Sequence, residues 1–171
     1  LHVCDRNLEL IKPKKITTHN LLVDVCLAAK YEGDSISPYH DRYKINNPDS
    51  KICTELARSF ADIGDIVRGK DLYRGGGRGK GKEKLEKNLK TIFENINKSD
   101  TKLSTLEDDQ IREYWWALNR EKVWSAITCS AGSGTYFRKT ACNGGNGTIR
   151  QCHCIAGEVP TYFDYVPQYL R

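Results

Sequence analysis

Gly76, Gly81 and Lys82 stand at the G-x-x-x-x-G-K spacing of a loop whose backbone amides and lysine would cradle a polyphosphate. That chemistry also needs a Ser or Thr hydroxyl for the metal and a buried strand before the first glycine. Glu83 occupies the hydroxyl position and a helical pattern precedes the glycines, so a solvated flexible loop explains the segment better. Cys152, His153 and Cys154 with Cys142 offer ligands of the right kind for zinc. Structural zinc sites, however, usually show cysteines paired roughly two to four residues apart, and C-x-C with one distant cysteine favours disulfides. Asp62 and Asp65 around Gly64, or Glu107, Asp108 and Asp109, could supply an acid and a base. Helix solvation explains the first pair and favourable charge at a helix start the second. His2, His19, His40 and His153 enter no recognisable nucleophile arrangement. Neither a catalytic residue, a metal ligand nor a cofactor is expected, and the chain reads as something other than an enzyme.

Two features remain that carry chemistry. The first is cysteine. Seven in 171 residues exceed ordinary intracellular usage, which favours an oxidised, extracellular protein. Cys26, Cys53, Cys129, Cys142, Cys152 and Cys154 are the disulfide candidates, and the odd Cys4 is expected to pair outside the sequence, in a longer ectodomain. The second is charge. The net charge is +5, and between Arg74 and Lys90 seven Lys or Arg face only Glu83 and Glu86, a surplus of five. Arg74, Arg78, Lys80, Lys82, Lys84 and Lys87, with Lys12, Lys14 and Lys15 near the start, are the candidates for contact with an anionic partner. Without interleaved aromatics, and in a cysteine-rich chain, nucleic acid is the least suitable such partner. Asn97 with Ser99 and Asn146 with Thr148 match the glycosylation sequon, which indicates only exposed loops.

The elements that must position these residues are helical. Composition is globular, 39% hydrophobic and 29% charged, and every apolar run is too short to span a bilayer. From Cys53 to Tyr73, Leu56, Phe60, Ile63 and Val67 recur at helical spacing, Asp62, Asp65 and Arg68 fall largely off that stripe, and Gly69 is a stop. Gly64 in its middle permits close approach of a neighbour. A helix over Asn20–Glu32 carries Leu21, Leu22, Val25, Ala28 and Ala29, capped by Thr17, Thr18 or Asn20. Ser37 and Pro38 predict a kink or a restart through Tyr43. The glycine-rich stretch after Tyr73 predicts a mobile loop to Lys84, followed by a helix with Leu85, Leu89, Ile92, Phe93 and Ile96 on one face. Ser104 and Glu107 form a capping box for a fourth helix. Its stripe runs through Ile111, Trp115 and Leu118, then Val123 and Ile127, with room for a break at Asn119. Trp115, Leu118 and Trp124 join Leu56, Phe60, Ile63 and Val67 in the expected core. The segment after Cys129 reads as Cys/Gly-rich loop with room for a short hairpin, and TYFDYVPQYLR resumes an apolar pattern.

Three stretches in order, ARSFADIGDIVRGKDLY, REYWWALNREKVW and YFDYVPQYLR, together with CDRNLE and DVCLAAKYEG, closely resemble the alpha class of Duffy-binding-like domains in the erythrocyte membrane protein family of Plasmodium falciparum. The resemblance spans essentially the whole chain. It implies a mainly α fold, a Duffy-binding-like helical bundle with long disulfide-linked loops. Residues 1–18 would be the irregular end of the first subdomain, and 19–171 nearly all of the second, a four-helix bundle with C-terminal Cys/Gly-rich loops. It also implies that Cys4 pairs upstream and that Cys53 bridges to one of the late cysteines. Functionally it implies a host-cell adhesion module on the extracellular face of the infected erythrocyte, antigenically variable, in cytoadherence or rosetting. Its partners would be host receptors, acidic glycans such as heparan sulfate or blood-group sugars, and antibodies, with the membrane reached only through the parent protein. The alternative is a protein receptor bound through an apolar surface, with the basic loop merely antigenic.

Overall fold

The computed structural model describes residues 17–47, 51–71, 79–134 and 139–171. Cys4, Lys12, Lys14, Lys15, Arg74 and Arg78, and with them the expected irregular opening, lie outside those residues. Four α-helices carry the fold: α1 (Thr18–Asn46), α2 (Ile52–Arg68), α3 (Gly79–Ser99) and α4 (Asp108–Ile127). The C-terminal part is a chain of single 3₁₀ turns, at Asn143–Gly145, Arg150–Cys152, Phe163–Tyr165 and Gln168–Leu170. Among the described residues there is no strand, and the described part of the Cys/Gly-rich segment is loop and 3₁₀ turn rather than hairpin.

Each helix starts and stops for a local reason. Thr17 caps α1 by accepting from the Asn20 amide at 3.3 Å. α2 ends on Gly69 at φ 71°, a left-handed stop that returns the Gly69 and Lys70 amides to Ile66 and Asp65 carbonyls. α4 is capped three residues later than the Ser104 pattern predicts: Gln110 Oε1 accepts from the Glu107 amide at 3.0 Å, while Ser104 closes a 3₁₀ turn onto Thr101. Three other boundaries also differ from expectation. α1 runs unbroken through Pro38, and Ser37 Oγ, donating to the Ser130 carbonyl at 2.9 Å, ties that turn to the end of α4. α4 runs unbroken through Asn119, whose amide donates to the Trp115 carbonyl at 2.8 Å. α3 begins at Gly79, so the latter half of the expected loop is helical. Lysine and glutamate at every second position favour helix enough to extend it back into the glycines.

The core lies where α2 packs against both α1 and α4, which also pack directly on each other. Leu56, Phe60, Ile63 and Val67 are all essentially inaccessible, and Phe60 touches both Trp116 and Trp124 with ring centroids 5.2 and 5.1 Å apart. Burying each aliphatic or phenyl side chain contributes about 1.5–3 kcal/mol, so this cluster decides the fold. Two glycines allow the helices to approach. A Cβ on Gly64 would fall 2.7 Å from the Trp116 ring, and one on Gly33 only 2.0 Å from the carbonyl oxygen of Ile127.

Leu118 is not in the core. It is 80% exposed, because the buried face of α4 turns away from the Ile111–Trp115 edge toward Trp116, Arg120, Val123, Trp124 and Ile127. Trp116, fully buried, holds the central place.

Candidate receptor-binding surface

The frame beneath the surface is held by buried arginines that a stripe-based reading assigns to solvent. Arg120 grips Asp164 with Nε to Oδ2 at 2.8 Å and Nη2 to Oδ1 at 2.7 Å, and donates to the Thr161 carbonyl at 2.7 Å. Trp116 Nε1 donates to the same Oδ2 at 2.8 Å. Arg68 donates to Gly64 and Asp164 carbonyls and pairs with Asp65, while its guanidinium lies 5.2 Å from the Tyr165 ring centroid. Arg171 closes the arrangement on Asp65 and Asp62. Burial pushes both of those carboxyls above their ordinary range, with Arg171 pulling the other way. The apolar pattern of TYFDYVPQYLR is therefore a segment strapped across α2 and α4 by one carboxylate. A cavity of about 200 Å³ beside the strap is lined by Asp65, Arg68, Lys70, Tyr165 and Tyr169, and its cations are already paired, Arg68 with Asp65 and both Arg68 and Lys70 with Glu113.

The six described cysteines divide into two bonded pairs and two thiols. Cys53 is joined to Cys152 and Cys142 to Cys154. The first bond ties α2 to the Cys/Gly-rich loops; the second closes the turn between them. Cys142, Cys154 and Glu158 converge, but the two sulfurs are bonded to each other and Glu158 accepts from the Asn143 amide at 3.0 Å, so the trio is a braced disulfide. Cys26 and Cys129, both expected among the bridges, are free. α1 and α4 cross in the same direction where Gly33 meets Ile127. Cys26 lies seven residues before that crossing, about 10 Å along the helix, and Cys129 lies beyond it. A disulfide spans at most about 7 Å between Cα atoms. Burial raises the Cys26 thiol, opposed by Lys122, so it is a poor nucleophile. Ser125 and His153 meet at 3.3 Å, with His153 Nδ1 donating to the Gln151 carbonyl at 2.6 Å. The serine is exposed and a neutral carbonyl stands behind the ring, which makes this a surface contact rather than an activated nucleophile.

The basic candidates separate as well. Lys84, Lys87 and Lys90 are exposed on α3, opposite buried Leu85, Leu89, Ile92 and Phe93. Lys82 is half-buried and pairs with Asp71 at 3.4 Å. Lys80 lies in the first turn of α3. Arg112 donates to Glu86 in a fork at 2.7 and 3.1 Å, which pairs that half-exposed carboxylate and locks α3 onto α4. The exposed apolar side chains include Tyr31, Tyr39 and Tyr43 on α1, Tyr114 and Leu118 on α4, and Tyr162 and Tyr169 on the C-terminal strap. Among the described residues, no helix is long and apolar enough to cross a membrane.

Within the described residues the chain is a helical bundle with disulfide-braced loops and an exposed lysine face on α3. The chain belongs to the Duffy-binding family: the family model described as Duffy binding domain matches residues 1–171. Solved structures agree. The NTS-DBL1(alpha-1) domain of the Plasmodium falciparum membrane protein PfEMP1 from the varO strain is 39% identical with a TM-score of 0.80, over 99% of this chain and 40% of that one. The ICAM-1-binding IT4var13 DBLbeta domain of PfEMP1 is 33% identical with a TM-score of 0.70, over 99% and 39%. A further PfEMP1 DBLb domain, solved bound to human ICAM-1, is 30% identical with a TM-score of 0.69, over 99% and 36%. The chain thus spans about two fifths of the length of these neighbours. No curated protein matches it.

Proposed function

We propose that this chain is part of a host-cell adhesion module of a parasite variant surface antigen, carried on the extracellular face of the infected erythrocyte by a larger membrane-anchored protein. The observation that carries the reading is the match to PfEMP1 domains along 99% of the chain, two of the relatives being domains bound to ICAM-1. Such a module binds a host receptor and does no chemistry on it. Residues 19–171 would be the second subdomain of the whole, with the first ending before α1.

For the partner, the exposed lysines of α3 favour an acidic glycan such as heparan sulfate. Lys84, Lys87 and Lys90 are all exposed, with the neighbouring Glu86 paired to Arg112, and the sequence before them adds Arg74, Arg78 and Lys80. Binding through many weak charge contacts weakens steeply with salt, since screening shortens to about 8 Å near physiological ionic strength. Heparin retention of the complete parent domain across a salt gradient tests this. Replacing Lys84, Lys87 and Lys90 together with Arg74, Arg78 and Lys80 by alanine is expected to move elution to clearly lower salt. Unchanged retention would remove the glycan role from this segment. It would also favour the second reading, a protein receptor held through exposed side chains such as Tyr114 and Leu118, neighbours one turn apart on α4 that are 60% and 80% exposed.

A further inference from the structure

α1 is longer than the bundle it belongs to. Its 29 residues extend about 43 Å, against about 25 Å for the 17 residues of α2 and about 30 Å for the 20 of α4. Its first five turns are covered. Leu21, Val25, Ala28 and Ala29 are inaccessible, Glu32 is buried, and Ile36 packs against the core. Burial stops at His40, and from Asp41 to Asn46 every residue is exposed.

The apolar stripe does not stop there. Tyr39 follows Leu21 by eighteen residues, and Tyr43 follows Val25 by eighteen, which is five turns at 3.6 residues each. Both tyrosines therefore continue the face that forms the core, while Asp41, Arg42 and Lys44 fall off it. Yet Tyr39 is 71% exposed and Tyr43 55% exposed. Leu21 and Val25 belong to the buried core, whereas the same face five turns further on is largely exposed within the described residues. The helix runs unbroken through Pro38, and Ser37 and Asp34, one turn before it, are both bonded to Ser130, which ties the start of the overhang to the bundle.

We propose that this overhanging face, centred on Tyr39 and Tyr43, is the seat on which the part of the Duffy-binding domain outside these 171 residues docks. The neighbours' lengths support that occupant: about three fifths of the DBL1alpha chain has no counterpart here, while the matched part covers 99% of this chain. So does the continuity of the stripe. A face in register with the core, on the same helix, extends the domain's own packing. The lysine face of α3, by contrast, is set opposite its core residues. The seat lies apart from both surfaces considered for the receptor, and the inference stands whether the ligand is glycan or protein.

The test is hydroxyl-radical footprinting of the complete monomeric domain, with Tyr39 and Tyr43 followed by mass spectrometry against the same domain unfolded in urea. The expected result is several-fold slower oxidation of both tyrosines in the folded monomer at every protein concentration. Oxidation at the unfolded rate would overturn the proposal. Protection that appears only as the domain dimerises would also overturn it, in favour of a second copy, and protection that appears only with heparin or ICAM-1 present would overturn it in favour of a receptor contact. A Tyr39→Lys, Tyr43→Lys variant is expected to lower the urea midpoint of the complete domain while an unchanged midpoint counts against docking. The footprint of the unaltered domain decides the matter if that variant does not fold.

Discussion

Asp164 is the residue on which the most depends. Its side chain is wholly buried and accepts from Arg120 twice and from Trp116 once, while its carbonyl takes Arg68. An arginine left unpaired in such a place is costly, because the charge cannot return to water. We expect Asp164→Ala to destabilise the fold by about 3–5 kcal/mol, seen as a lower urea midpoint with the slope preserved. Arg58→Ala, which removes an exposed pair with Glu55, should cost under about 1 kcal/mol. Equal effects would show that the strap is not held as described. Nothing local announces Asp164: it is one acidic residue among 22. Its partners are Arg68, Trp116 and Arg120, all remote in sequence, so only the folded chain brings them together.

At the scale of elements, the crossing of α1 and α4 turns on Gly33. Alanine there would gain about 1 kcal/mol of helix propensity, but its Cβ would strike a backbone oxygen, which cannot rotate away. The helices must separate, and forced overpacking of this kind costs about 1–3 kcal/mol or more. Gly33→Ala is therefore expected to lower the thermal midpoint despite the better helix former, with loss of near-ultraviolet signal from Trp124 and Trp116 as packing loosens. A raised midpoint would refute the close crossing. Gly64 was legible as a point of approach because a glycine inside a strong amphipathic pattern needs a reason. Gly33 gave no such signal, lying between Glu32 and Asp34 at what looks like the end of a helix. The stripe on α2 was legible in full, whereas Leu118 was misplaced because α4 buries Arg112 and Arg120, and a pattern of apolar residues alone points to the wrong face.

For the molecule as a whole, the bond between Cys53 and Cys152 links residues 99 apart and fastens the α2 start to the Cys/Gly-rich loops. Chain-entropy reasoning puts a loop of that length at about 4–5 kcal/mol, against about 3 kcal/mol for Cys142–Cys154, which are 12 apart. Replacing Cys53 and Cys152 together with alanine should lower the guanidinium midpoint more than replacing Cys142 and Cys154. The reverse order would mean that the small turn, rather than the long-range tie, carries the stabilisation.

Local pattern was enough to establish four helices, the apolar face of α2 and the excess positive charge around α3, while the family came from the resemblance of whole motifs. Those depend on spacing along the chain, which folding does not alter. Which cysteines pair, which arginines are buried, where α4 turns its core face and how far α1 outruns its partners depend on residues far apart in sequence. Charge is the reason they stayed hidden: a guanidinium reads as solvent until the carboxylate and aromatic rings that surround it are known, and here those arrive from the C-terminal strap.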